Sequence, residues 1–193
     1  RNIKVVRMGV GSEKEWSLTD NKFNFDYSKS EFRSGFMDFY LVNRSKFTIT
    51  NGTGFYWIPY ILKKPLVMAD FIPIGAICSY VPYSLHIFKR IYSKNNEREL
   101  FLNELVSEEF NYIYKNDDYK AKNLEYINNS PEEIFDCVKE MNDQLDNKFN
   151  NDNTLQKKFW DLIPKKINKY HFNGKTHNII KAQIGTKFLK RKL

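Results

Sequence analysis

Lys46-Phe47-Thr48-Ile49-Thr50-Asn51-Gly52-Thr53-Gly54, followed by Phe55 to Leu62 and then Pro65-Leu66-Val67-Met68-Ala69, is the stretch that decides the fold. The β-branched run from Lys46 to Thr50 reads as a strand. Asn51 to Gly54 reads as a turn, since Asn and Gly are the residues that relax backbone constraints. Phe55 to Leu62 reads as a helix, and Pro65 to Ala69 as a second strand. A strand–turn–helix–strand succession with short connections predicts a parallel α/β sheet.

Upstream, Ile3 to Met8 is a short strand-like run stopped by Gly9-Val10-Gly11. From about Ser28 to Asn43, Phe32, Phe36, Phe39, Tyr40 and Val42 recur at mixed three- and four-residue steps. That spacing predicts an amphipathic helix, weakened by Gly35. Downstream, Ser130-Pro131-Glu132-Glu133 is a helix start: Ser as cap, Pro in the first position, acids in the first turn. Ile134, Val138, Met141 and Leu145 continue its apolar face. Asn147 to Asn153 is a polar break, and Leu155 to Ile163 reads as a further helix ending before Pro164. The tail from Lys187 to Leu193 is basic and reads as a solvated, frayed terminus. With no repeat and no dividing linker, residues 1–193 read as one Rossmann-like domain with a helical part over 130–193.

The composition bounds the rest. The chain has 193 residues, 41% hydrophobic and 16% aromatic, which excludes an intrinsically disordered polymer. Its 31 basic and 23 acidic residues give a net charge of +8, compatible with phosphates, nucleic acid or an anionic surface without choosing among them. Cys78 and Cys137 lie too far apart for a paired motif, which argues against a disulfide scaffold or a cysteine zinc site and for a reducing compartment. His86, His171 and His177 form no metalloprotease array. The apolar stretch from Leu66 to Tyr83 is broken by Asp70, Pro73 and Pro82, so it cannot cross a bilayer as a clean helix of roughly 20 residues. No secretory signal opens the sequence, which begins without Met and reads as a fragment or processed chain.

Among chemistry-bearing residues, Asn51, Gly52, Thr53 and Gly54 stand between strand and helix. There the backbone can approach a ligand closely, and a following helix offers N–H groups and a positive dipole end to a pyrophosphate. The same residues can simply make a tight βα turn. Arg33 can clamp a phosphate bidentately and Asp38 can orient it or accept from a sugar hydroxyl; the alternative is a charge pair on a helix surface or a helix cap. Asp70 follows a strand, where open α/β sheets bind ligands, yet it can equally cap a turn. Glu132 and Glu133 read as partners of a helix dipole rather than catalytic acids. His86, near Tyr83 and Arg90, is the one histidine retained as a reserve candidate.

Val5-Val6-Arg7-Met8-Gly9 and Phe32-Arg33-Ser34-Gly35-Phe36-Met37-Asp38-Phe39-Tyr40-Leu41, with the Phe47–Gly54 and Ile58–Pro65 stretches, resemble a family of bacterial glycosyltransferases of surface-polysaccharide clusters. Phe71-Ile72-Pro73, Asn129-Ser130-Pro131-Glu132-Glu133-Ile134 and Ile184 to Leu189 extend the resemblance over nearly the whole chain. It departs at Thr53, where Ser is commoner, and at Asp70, where Asn is expected.

The resemblance implies a GT-B-like transferase with two Rossmann-like domains facing a cleft. This chain corresponds to the C-terminal, donor-holding half, without the upstream domain and its catalytic base, so the catalytic residue is unknown and the chain alone is incomplete for catalysis. Arg33, Asp38, Asn51, Gly52, Thr53 and Gly54 become the donor-binding candidates. A nucleotide-sugar is the substrate, with no separate cofactor and no metal site, and a saccharide or lipid-linked molecule is the acceptor. No Asp-X-Asp bridge occurs. The expected location is cytoplasmic, with peripheral contact to the inner membrane through the basic C-terminus. A non-catalytic nucleotide-binding module is the first alternative. A basic nucleic-acid-binding protein is the second, disfavoured because its cations are dispersed among acids.

Overall fold

The computed structural model describes residues 3–9, 22–107, 109–149, 152–163 and 180–193. Val10, Gly11, Pro164, His171 and His177 lie outside them. The chain divides into two compact units, Arg1–Lys46 and Phe47–Leu193.

In the first unit, β1 (Val5–Arg7) pairs in parallel with β2 (Asn24–Asp26), and an Arg7–Asp26 ion pair of 3.3 Å joins their ends. Gly9, at φ +116°, lets the chain leave β1 in a conformation other residues rarely adopt. The helix expected from Ser28 to Asn43 is divided. A 3₁₀ turn occupies Tyr27–Lys29, and α1 spans only Gly35–Arg44. Serines break it: Ser30 and Ser34 are both extended, Ser30 Oγ accepts from Phe32 N–H, and Ser34 Oγ caps α1 at Met37 N–H. Short hydroxyl side chains compete with helical hydrogen bonds in this way. Gly35 is thereby the first helical residue rather than a weak point in its middle. Buried Tyr27 clasps the break, its hydroxyl donating to Ser34 C=O at 3.2 Å and accepting from Ser34 N–H at 2.9 Å. The apolar spacing does not mark a buried face: Phe32, Phe36, Phe39 and Tyr40 are exposed, and only Val42 of α1 is buried.

The second unit is an α/β domain. Its strands β3 (Thr48–Thr50), β4 (Leu66–Phe71), β5 (Ser84–Phe88) and β9 (Gln183–Ile184) form a wholly parallel sheet in the order β3-β4-β5-β9, flanked by helices. Between β3 and β4, a 3₁₀ turn at Gly54–Tyr56 leads into the short α2 (Trp57–Ile61). Both strands and this crossover were legible in the sequence. Leu66 to Tyr83 is β4 followed by a 3₁₀ turn and loop; among the described residues no helix is long and apolar enough to cross a membrane.

Sequence reasoning missed a second sheet, formed by β6 (Arg90–Ser93), β7 (Arg98–Glu99) and β8 (Leu124–Ile127) in the antiparallel order β7-β6-β8. α3 (Leu102–Leu105) and α4 (Asn116–Ala121) accompany it around a small core of Ile91, Leu100, Ile113, Tyr119 and Leu124. The two longer helices match expectation. α5 (Pro131–Leu145) begins in a Ser130–Glu133 capping box, and α6 (Asn153–Leu162) is capped by Asp152. Both pack on the main core with Phe88, Phe159 and Phe188.

The basic tail corrects the expectation of a frayed end. It forms α7 (Thr186–Lys192), with Phe188 and Leu189 buried. Lys187 pairs with Asp136, Arg191 with Glu133, and Lys192 with Glu99, so much of its charge is matched within the fold. The apolar Phe-Leu pair, buried at the cost of ordering the tail, supplies the reason.

Candidate functional site

An open concavity of about 390 Å³ lies in the first unit, at the N-terminus of α1. Its walls are almost wholly polar: hydroxyls of Ser28, Ser30 and Ser34, cations Lys29 and Arg33, the Asp38 carboxylate and the Gly35 backbone. Arg33 does not sit on the helix with Asp38; it stands immediately before the Ser34 cap, while Asp38 lies in the first turn. The expected alternative of an Arg33–Asp38 surface pair is absent, and neither side chain forms an ion pair with any described residue. Ser34 Oγ satisfies Met37 N–H and Ser34 C=O accepts from Asp38 N–H at 2.9 Å. The N–H groups of Gly35 and Phe36 meet no acceptor among the described residues. Arg33, the free N–H of Gly35 and the positive end of a ten-residue helix thus border the same opening.

One wall residue of this concavity, Ser28, is anchored by Asp26. Asp26 caps the 3₁₀ turn, accepting from Ser28 Oγ and, at 3.1 Å, from Ser28 N–H. The Ser28 hydroxyl, with Arg7 as a lesser influence, lowers the Asp26 carboxyl below its ordinary pKa. Sequence reasoning found Arg33 and Asp38 but not Ser28, Lys29, Ser30 or Ser34; the polar run Ser28-Lys29-Ser30 ahead of Arg33-Ser34 is the signal that could have found them.

Asn51, Gly52, Thr53 and Gly54 belong to the second unit, at the carboxyl end of edge strand β3. Thr53 N–H donates to Asn51 Oδ1 at 3.3 Å, an Asx turn, and Thr53 caps nothing with its own side chain. Neither Gly52 nor Gly54 has a positive φ. A Cβ on Gly52 would touch Phe71 at an ordinary 3.6 Å, and one on Gly54 would meet nothing within 4 Å. The fold itself therefore does not demand glycine at 54. The loop is exposed, and the helix it enters is only five residues long, so any ligand contact rests on the loop backbone. Gly54→Ala should change the unfolding free energy by no more than a surface substitution does, under about 0.5 kcal/mol. A stability loss several times larger, read by thermal unfolding, would show a hidden backbone demand.

The remaining candidates resolve into structural roles. Asp70 adopts φ 52° at a register shift in β4, and it and Asn129 bond reciprocally: Asp70 N–H to Asn129 Oδ1 at 2.8 Å and Asn129 N–H to Asp70 Oδ1 at 2.6 Å. Asn129 Nδ2 also donates to Phe88 C=O at 2.9 Å, so Asp70 ties β4 and β5 to the entry of α5. Glu133 completes the capping box of α5. His86 is wholly buried in β5, edge-on to Phe71 at 5.4 Å between ring centroids. Among the described residues no group of three or more His, Cys, Asp or Glu side chains could hold a metal ion.

No family model, no curated protein and no solved structure matches this chain.

Proposed function

We propose that the chain is the donor-binding part of a GT-B-like glycosyltransferase that takes a sugar from a nucleotide-sugar in surface-polysaccharide biosynthesis. The observation that carries this reading is the concavity at the head of α1, where Arg33, Lys29 and the unsatisfied N–H of Gly35 border one opening with three hydroxyls and a carboxylate. Cations and amides suit a diphosphate, and Asp38 suits the hydroxyls of a sugar or ribose. The parallel sheet flanked by helices supports the reading, because such sheets bind nucleotides at their carboxyl ends, where Asn51–Gly54 lies.

In this reading the nucleotide-sugar is substrate and no resident cofactor is needed. Arg33 and the α1 amides hold the diphosphate, and their attraction for it grows as the sugar departs and charge collects on the leaving oxygens. The acceptor is a saccharide or a lipid-linked saccharide, and the reaction belongs to the cytoplasmic side of the membrane.

Ligand-observed NMR with UDP, GDP, CDP and ADP, their common sugar conjugates and a short RNA tests the reading. Selective saturation of one diphosphate, lost in Arg33→Ala, is the expected result. Silence toward every nucleotide, or binding of RNA alone with steep salt dependence, would overturn it.

A further inference from the structure

Beyond the donor concavity, a second cluster of side chains has no role so far. It begins two residues after Gly54. Tyr56, Trp57 and Tyr60 pack ring to ring, Tyr56–Trp57 at 4.9 Å, Tyr56–Tyr60 at 5.3 Å and Trp57–Tyr60 at 6.0 Å between centroids. The loop that leaves β4 brings Cys78 and Tyr80 to the same place, and Tyr114 joins them from the segment before α4. Gly75 N–H donates to Asn111 C=O at 3.1 Å, which ties the loop that carries Cys78 and Tyr80 to the segment that carries Tyr114, and Tyr56 and Tyr60 pack on the same core as Ile74 and Ile77 of that loop. Burial raises the tyrosines above their ordinary pKa, keeping every phenol a neutral hydroxyl at physiological pH.

The cluster runs from the core to the surface: Tyr56 and Tyr60 pack on the main core and Cys78 is buried, but three of its rings reach the surface. Trp57 is 48% exposed, Tyr80 38% and Tyr114 56%. None of its side chains carries a charge, so it offers nothing to a phosphate or a nucleic-acid backbone, which cations recognise. What it offers is broad ring faces bordered by hydroxyls. That pairing matches a pyranose, whose C–H face stacks on an aromatic ring while its equatorial hydroxyls exchange hydrogen bonds around the edge. Tyr and Trp also present such area at little conformational cost.

We infer that Trp57, Tyr80 and Tyr114 form a platform that binds a neutral hexose chain beside the Asn51–Gly54 loop. Tyr56 and Tyr60 pack against the Trp57 ring and steady it. The identification of the chain as acceptor rests on the glycosyltransferase reading; the binding itself does not.

Saturation-transfer NMR on the full chain, with maltotetraose and cellotetraose as probes and UDP, GDP, CDP and ADP in parallel, tests this. Transfer to the sugar C–H protons of at least one tetrasaccharide is expected. It should fall at least tenfold in Trp57→Ala, which also loses its ring packing on Tyr56 and Tyr60 and so some heat stability, and in Tyr114→Ala, while nucleotide signals stay unchanged and both variants remain folded at the temperature of measurement. Absence of transfer from both tetrasaccharides, or transfer undiminished in both variants, overturns the platform. If nucleotides still bind in that case, the platform alone fails. If they also fail, the transferase reading falls with it.

Discussion

Lowering the pH from 6.5 to 4 should cost the folded protein about 3 kcal/mol through His86 alone, a loss that His86→Leu should abolish. His86 lies in the central strand β5, opposite Met68 and Ile184 in the register, with no exposed surface. Neither ring nitrogen has a hydrogen-bond partner among the described residues. Burial without a partner disfavours the imidazolium and pushes the pKa down to about 3. The folded pKa thus lies below the unfolded value, so the unfolded chain takes up the proton first. The His86 contribution is whole above about pH 6.5 and shrinks by about 1.4 kcal/mol per pH unit as pH falls toward the folded pKa. Glu140 pulls the other way: burial raises its carboxyl although it accepts from Thr186 N–H and Oγ1. For that reason the readout is the difference between the two proteins, measured by urea unfolding across the pH range. At pH 7 His86→Leu should be neutral or stabilising, because it removes two unsatisfied buried nitrogens. Parallel acid limbs would show that water or another group solvates the ring.

His86 also shows how far the sequence could be read. As a lone histidine near Tyr83 and Arg90 it stood as a reserve candidate for chemistry; only the strand pairing shows it to be a sheet-core residue. Strand β5 carries Leu85, Ile87 and Phe88 around it, all buried, which is the near-continuous apolar pattern of a strand covered on both faces. Five residues of that kind carry little periodicity, and the β6–β8 sheet that follows is built from runs just as short. The β3–α2–β4 crossover was legible because glycines and a proline punctuate it. The start of α5 was legible because Ser130, Pro131 and Glu133 each act locally. In the α1 region two forces compete: aromatic spacing favours one long helix, whereas Ser30 and Ser34 use their hydroxyls to break it. That break is what creates the concavity, so the residues most useful to a ligand are those least visible to periodicity. Asp70 was open between ligand and cap, and the choice depended on Asn129, 59 residues away.

Arg33→Ala should weaken nucleoside diphosphate binding ten- to a hundredfold, the loss of about 1.5–3 kcal/mol that follows removal of a charge-assisted hydrogen bond, without lowering the melting temperature. The stability half of this expectation follows from geometry. Arg33 is exposed, precedes the α1 cap and makes no ion pair with a described residue, so truncation of its side chain breaks no ion pair within the described fold. Its backbone N–H still donates to Ser30 C=O at 3.2 Å. The binding half follows from the guanidinium's planar fork, which can hold two phosphate oxygens at once; Arg33→Lys keeps the charge but not the fork and should recover only part of the affinity. Ser34→Ala supplies the contrast. Removing the cap frees Met37 N–H and should cost about 1 kcal/mol of stability, so it lowers the melting temperature and disturbs the site together. If Arg33→Ala behaved like Ser34→Ala, losing heat stability in the absence of nucleotide, Arg33 would be a structural residue. If it changed neither property, the diphosphate would have to be held elsewhere, and the exposed backbone of Gly52 to Gly54 would be the next place to look. Titration by calorimetry at two salt concentrations separates these cases, since a contact made through Arg33 must weaken as salt rises and its alanine variant must respond less.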